Sequence, residues 1–247
     1  MKHTDDISLD IVIPVYNEGE NIIDTLHEIR EYVPIVETVF VVYDIEEDST
    51  LQSLNGAHKD PFWENRLRPV KNIYGHGALN AIKTGFHLST SDWILVVMGD
   101  LSDDLSIVPQ MLDQAAVGAD IVCGSRYMKG GKHTGGPVLK NALSRLAGLS
   151  MHYLAGIPTM DVTNSFKLYS RKVIEAIPAE STGGFEIGME LVVKAYFKGH
   201  RIAEVPSAWK GRTTGKSRFD MKKWIPKYLK WYLSALKWKY VRNVYEK

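Results

Sequence analysis

The chain has 247 residues, 45% of them hydrophobic, with 30 Lys+Arg against 29 Asp+Glu, a formal net charge of +1. That is enough apolar material for one substantial core, and the balanced charge excludes whole-molecule attraction to nucleic acid or an acidic polymer. The single Cys123 excludes an internal disulfide, and no apolar run reaches the ~18 residues of a membrane span; with no apolar leader in MKHTDDISLD, the expected location is the cytoplasm.

In chain order, residues 9–15 (LDIVIPV) predict a buried strand. In the following NEGENIIDTLHEIREYV, residues Ile22, Ile23, Leu26, Ile29 and Val33 share one helical face, and Asn17 with Glu20 reads as an N-cap pair. ETVFVVYD predicts a second strand and RLRPVKN a weaker third, GALNAIKTGFHLS a helix behind a glycine turn, WILVVMG a fourth strand, IVPQMLDQAAVG a helix, and ADIVCGS a fifth strand that buries Cys123. This alternation predicts a mostly parallel sheet with helices on both faces. Ligands of such sheets bind beyond the carboxyl ends of the strands.

Asp100, Ser102, Asp103 and Asp104 fall just past the fourth strand. Two readings are open there: a polar turn that caps the next helix, or a site for a hard cation, Mg²⁺ or Mn²⁺, held by Asp100 together with the phosphates of a ligand. After Asp220 the composition changes. Seven Lys or Arg and no acidic residue lie between Met221 and Arg242, interleaved with Trp224, Tyr228, Trp231, Tyr232, Trp238 and Tyr240. This predicts a basic amphipathic helix over 221–247, either lying on a membrane with its rings at headgroup level or packed on the preceding domain, 1–220.

Six segments decide between the readings of the acidic turn: IVIPVYNEGENI (11–22), VVYDIEEDST (41–50), GHGALNAIKTG (75–85), GDLSDD (99–104), GSRYMKGG (124–131) and EVPSAWKGRTTGKSRF (204–219). Together, in this order, they resemble the inverting GT-A glycosyltransferases of family 2, in the dolichyl-phosphate mannose synthase-like branch. YDIEEDST and MGDLSDD look most like bacterial enzymes of surface-polysaccharide synthesis. The resemblance implies an α/β GT-A (nucleotide-diphospho-sugar transferase) fold and places Pro14, Tyr16, Asn17, Glu18, Asp44, Gly77, Asn80, Gly99 and Asp100 around a nucleotide-sugar donor. The family's metal motif is commonly Asp-Ala-Asp-Leu-Gln. Here its first acidic position is Met98 and its Gln position Ser102, so the expected ligands are Asp100 and Ser102, with Asp103 or Asp104 folding back in place of the missing carboxylate.

The same resemblance assigns Arg126, Lys140 and Ser144 to an acceptor phosphate, Arg212 and Lys216 to a loop closing over the donor, and Asp161 and Asn164 to the acceptor or sugar side. The transfer is then expected to rest on Asp100, Arg126, Arg212 and Lys216. The implied reaction moves a hexose from a GDP-mannose-like or UDP-hexose donor to a polyprenyl or dolichyl phosphate, at the cytoplasmic face of a membrane reached by surface binding or through a partner membrane protein. A lipid phosphate is already ionised and needs no general base. The first alternative is transfer to a glycan hydroxyl, which needs one and has Asp161, Glu186 and Glu190 as candidates; Glu186 and Glu190 also suit the polar side of a helix. The second alternative is a non-catalytic nucleotide-sugar-binding subunit, for which Met98 speaks and Asp100, Arg126 and Arg212 do not.

Overall fold

The structure, a computed structural model, describes residues 7–57, 59–211 and 221–245. Among the described residues nine strands form: β1 (Leu9–Pro14), β2 (Val36–Tyr43), β3 (Leu67–Lys71), β4 (Trp93–Val96), β5 (Ile121–Ser125), β6 (Lys132–Thr134), β7 (Lys167–Ser170), β8 (Ile202–Pro206) and β9 (Ala208–Lys210). The helices are α1 (Asn21–Tyr32), α2 (Ser49–Ala57), α3 (Ala78–Leu88), α4 (Val108–Ala116), α5 (Val138–Ser150), α6 (Arg171–Ala176), α7 (Glu186–Phe197) and α8 (Met221–Tyr245). Seven strands make one sheet in the order β3-β2-β1-β4-β7-β5-β8, and β6 pairs with β9 in a second. The large sheet is parallel except for β7, which runs antiparallel to both β4 and β5. The weak third strand carries Pro69 and lies at the sheet edge, where a missing ladder donor is tolerated.

Alternation along the strands builds two core layers. Ile11, Ile13, Val39, Val41 and Leu95 join Leu26 and Ile29 of α1 and Met111 and Leu112 of α4 on one face. Val12, Phe40, Val42, Ile94, Val96 and Cys123 face the other way, against Leu79 and Ile82 of α3 and Ile187 and Leu191 of α7. Each buried Leu, Ile or Val contributes roughly 1.5–3 kcal/mol, so both faces are closed by apolar helix stripes. The parallel strands all finish at one edge. Because β7 is reversed, its first residue, Lys167, also lies at that edge, paired with Val96 on one side and Cys123 on the other.

Two local expectations change. Asn17 does not cap α1, which starts at Asn21 behind Glu20 with no side-chain cap. Asn17 instead adopts a left-handed backbone (φ 55°), donates its N–H to Asp48 Oδ1 and accepts from Ser49 N, an arrangement Asn tolerates better than most residues. In α8 the rings do not all face outward. Trp231 and Ala235 are buried in the second layer, Trp231 Nε1 donates to Ser181 Oγ (3.1 Å), and Lys194 and Lys230 stand 5.0 and 4.4 Å from its ring. Tyr232 donates to Ser150 Oγ at the end of α5, and α8 packs on α7 and the 151–155 turn.

Candidate functional site

The donor-side residues gather at the carboxyl edge of β1, β2 and β4. Pro14 closes β1, with Tyr16, Asn17 and Glu18 in the turn that follows; Glu18 N donates to Thr50 Oγ1. Asp44, just past β2, accepts from Gly77 N (2.8 Å) and Asn72 Nδ2 (3.0 Å), so its carboxylate also fixes the loop entering α3. Gly77 has φ 102°, a conformation that favours glycine, and Asn80 donates to His76 O within the first turn. Gly99 brings the β1 and β4 turns together: a Cβ there would sit 3.3 Å from Val15 and 3.5 Å from Glu18.

The acidic turn itself is strained and stitched. Leu101 is left-handed (φ 57°), uncommon for its type and concentrated at functional sites. Asp100 Oδ1 accepts from Ser102 N (3.2 Å). Ser102 is buried and ties the turn to β9 through its carbonyl, which accepts from Lys210 N. Asp104 Oδ1 accepts from Ser106 Oγ and Oδ2 from Ala208 N, so it does not fold back toward Asp100 but braces β9. Asp103 does fold back: Oδ2 accepts from Met98 N (2.9 Å), and Oδ1 has no hydrogen-bond partner among the described residues. Burial, and then the charge of Asp100, push its pKa up to about 7.

Arg126, directly after β5, is not a free cation at the rim. Its backbone N and Nε donate to Asp161 Oδ2 (3.0 and 2.6 Å), and Nη2 reaches Asp161 Oδ1 (2.8 Å), Ser144 Oγ (3.1 Å) and Thr163 Oγ1 (3.2 Å). Burial favours a neutral Asp161, but the Arg126 charge and its hydrogen bonds outweigh it and hold the carboxyl below the usual range. The turn after Arg126 closes tightly, since a Cβ at Gly131 would collide with the Ser125 and Arg126 backbone. Tyr127 donates to Ser144 Oγ (3.0 Å), and Ser144 and Thr163 hydroxyls lie 2.6 Å apart. Lys140 stands one helical turn before Ser144 on α5. The sequence residues Arg126 and Ser144 are therefore brought together, while Tyr127, Thr163 and the buried Lys167 join them without having been singled out. The only prior signal for Thr163 was its place between Asp161 and Asn164. Arg212 and Lys216 lie outside the described residues.

The remaining candidate residues are engaged in holding the fold. Asn164 Nδ2 donates to Gly124 O. Glu186 accepts from Gly183 N and Gly184 N at the start of α7, and Glu190 accepts from Glu180 N, Ser181 N and Lys194 Nζ. Both are fully buried loop clamps.

A family model described as Glycosyl transferase family 2 matches residues 10–177. Among curated proteins, the dolichol-phosphate mannosyltransferase of Pyrococcus furiosus is 26% identical over 94% of this chain and 64% of its own length. The polyprenol monophosphomannose synthase of Mycolicibacterium smegmatis is 29% identical over 85% of this chain and 80% of that protein. For the undecaprenyl-phosphate mannosyltransferase of Micrococcus luteus the figures are 27%, 85% and 86%. The chain thus spans less than two thirds of the archaeal relative. Among solved structures, glucosyl-3-phosphoglycerate synthase from Mycobacterium tuberculosis, in complex with Mn²⁺, uridine diphosphate and glucosyl-3-phosphoglycerate, superposes with a TM-score of 0.70 at 15% identity, over 94% of this chain and 81% of that one.

Proposed function

Because this chain belongs to glycosyl transferase family 2 and is a glycosyltransferase, we propose that it transfers a hexose, with inversion, from a nucleotide-diphosphate sugar to a polyprenyl phosphate at the cytoplasmic face of a membrane. The observation that carries this reading is the state of the acids. A hydroxyl acceptor needs a carboxylate free to take its proton, yet Asp161 is locked to Arg126 and both Glu186 and Glu190 are occupied by backbone amides. A phosphate acceptor needs cations and hydroxyl donors instead. Arg126, Ser144, Tyr127 and Thr163 form such a cluster, with Lys140 beside it. The names of the three mannosyltransferase relatives agree with this acceptor class.

In the reaction, Tyr16, Asn17, Glu18, Asp44 and the Gly77–Asn80 turn hold the nucleoside and pyrophosphate of the donor. Arg126, positioned by Asp161, orients the acceptor phosphate with Ser144 and Lys140. The phosphate oxygen then attacks the anomeric carbon opposite the departing nucleoside diphosphate, and positioning with charge stabilisation supplies the acceleration. A divalent cation, Mg²⁺ or Mn²⁺, when bound, neutralises charge developing on the leaving diphosphate. The carboxylate of Asp100 and the unpartnered Oδ1 of Asp103 are hard oxygen donors that fit it.

Replacing Lys140 by Ala is expected to raise the KM for polyprenyl phosphate about tenfold or more, the value of a charge-assisted hydrogen bond, while the donor KM stays within twofold. Steady-state kinetics with each substrate varied measures this. A protein that glycosylates a glycan hydroxyl but no polyprenyl phosphate, and that Glu186→Gln or Glu190→Gln silences, would overturn the reading.

The outer faces of two helices support a reading of surface association with the lipid. No helix among the described residues is long and apolar enough to cross a membrane. Yet Val138 (84% exposed), Leu139, Leu143 and Leu146 of α5, Tyr153 and Leu154 after it, and Ile225, Leu229 and Leu233 of α8 are all exposed. The stripe lies on the helix that carries Lys140 and Ser144, and α8 adds Lys227, Lys230, Lys237 and Lys239 with no acid. Such a face suits the headgroup boundary of an anionic bilayer. Leu146→Ser with Leu154→Ser is expected to weaken co-sedimentation with phosphatidylglycerol vesicles about tenfold, from lost apolar burial; unchanged binding would assign these side chains to another role.

A further inference from the structure

Asp103 differs from five acids at or near the site. Asp44, Asp104, Asp161, Glu186 and Glu190 each have both carboxylate oxygens hydrogen-bonded. Asp103 is just as enclosed, at 6% exposure, but only Oδ2 is bonded, and Oδ1 has no partner among the described residues. A buried anionic oxygen left without a hydrogen bond is strongly unfavourable. Arg126 and Lys167 act on it through space, but their hydrogen bonds go to Asp161, Ser144 and Thr163 and to Val162 O. The side chain of Met98 packs against the second core layer and offers no oxygen. Asp103 bends back to the backbone of that same residue, on the turn that carries Asp100, whose charge it feels.

We infer that Asp103 Oδ1 is the second carboxylate donor, with Asp100, to the divalent cation that accompanies the donor pyrophosphate. Two carboxylate oxygens plus phosphate oxygens make a normal shell for Mg²⁺ or Mn²⁺. The fold separates the three acids of this turn into distinct duties: Asp100 at its head, Asp103 bent back to Met98, and Asp104 turned away to hold β9. The inference rests on the donor-site reading above.

The test is Mn²⁺ binding, followed by electron paramagnetic resonance of the free ion, with UDP and with GDP. Wild type is compared with Asp103→Asn, Asp104→Asn and Asp100→Asn. Asn at 103 retains an oxygen to accept from Met98 N and removes the buried charge, so metal-free thermal stability at pH 8 should be unchanged or higher. Its Mn²⁺ affinity should fall at least tenfold, and that of Asp104→Asn should stay within twofold of wild type. Asp103→Cys provides a second readout, because a thiolate at this place should gain Cd²⁺ binding that wild type lacks. If Asp103→Asn binds Mn²⁺ like wild type, or the Cys variant gains no Cd²⁺ affinity, Asp103 is only a counter-charge for Arg126 and Lys167. If wild type binds neither nucleotide nor Mn²⁺, the donor-site reading fails and takes this inference with it.

Discussion

Asp161→Ala will destabilise the protein by about 3–5 kcal/mol and abolish measurable transfer, the larger of the effects expected of any single change on the acceptor side. Removing one member of a buried ion pair strands the other without compensation, and Arg126 is nine-tenths enclosed with three of its donor bonds on Asp161. Urea unfolding at pH 7 measures the first effect and lipid-phosphate kinetics the second. Stability and function separate in the double variant Arg126→Met, Asp161→Leu. Apolar side chains of similar volume are well tolerated in place of a buried pair, so the double variant should recover most of the lost stability and none of the transfer. Recovery of transfer would deny Arg126 its role at the acceptor. The pair also carries a pH signature. Asp161 has a depressed pKa in the folded state, so its contribution is complete above the ordinary carboxylate pKa near 4 and fades as pH falls through the lower folded value.

The parts of this molecule that could be read in the sequence are those fixed by local period. Nearly continuous apolar runs, such as 9–15 and the centre of 37–44, declare strands buried on both faces. Alternation with helices then dictates that the polar turns after them meet at one edge. The reversal of β7 carries no such signal: four residues, KLYS, look the same in either direction, and only its neighbours β4 and β5 reveal that Lys167 sits at the ligand end. Partnerships were equally hidden. Asp161 stands 35 residues from Arg126, and nothing local distinguishes a carboxylate that will bind a guanidinium from one that will act as a base. Glu186 and Glu190 fit either a site or a polar helix face by spacing, and it is the closure of residues 180–184 onto them that makes them clamps. In α8 the mixture of Lys and rings suited a membrane surface as a whole, whereas burial of Trp231 against Ser181 divides the helix into an inner and an outer face.

The second large effect is at Asp100. Asp100→Asn is expected to lower the transfer rate at least a hundredfold, the scale on which loss of one charge-stabilising group at a reacting centre acts, with little change in folding. The substitution keeps an oxygen to accept from Ser102 N, so the left-handed Leu101 turn and its tether to Lys210 have no reason to move. What disappears is a negative charge beside the leaving diphosphate. Transfer assays at saturating donor, repeated across Mn²⁺ concentrations, give the measure. A variant that regains wild-type rate at high Mn²⁺ has lost affinity for the ion alone, and one that retains wild-type rate throughout removes Asp100 from the reaction. A carboxylate restored at position 98 carries a folding cost. At position 98 an Asp would replace a side chain that packs with the second core layer and place a third negative charge beside Asp103, whose pKa burial and Asp100 already raise. Met98→Asp is therefore expected to lower the metal-free thermal stability, because the new carboxylate displaces a side chain packed on that layer.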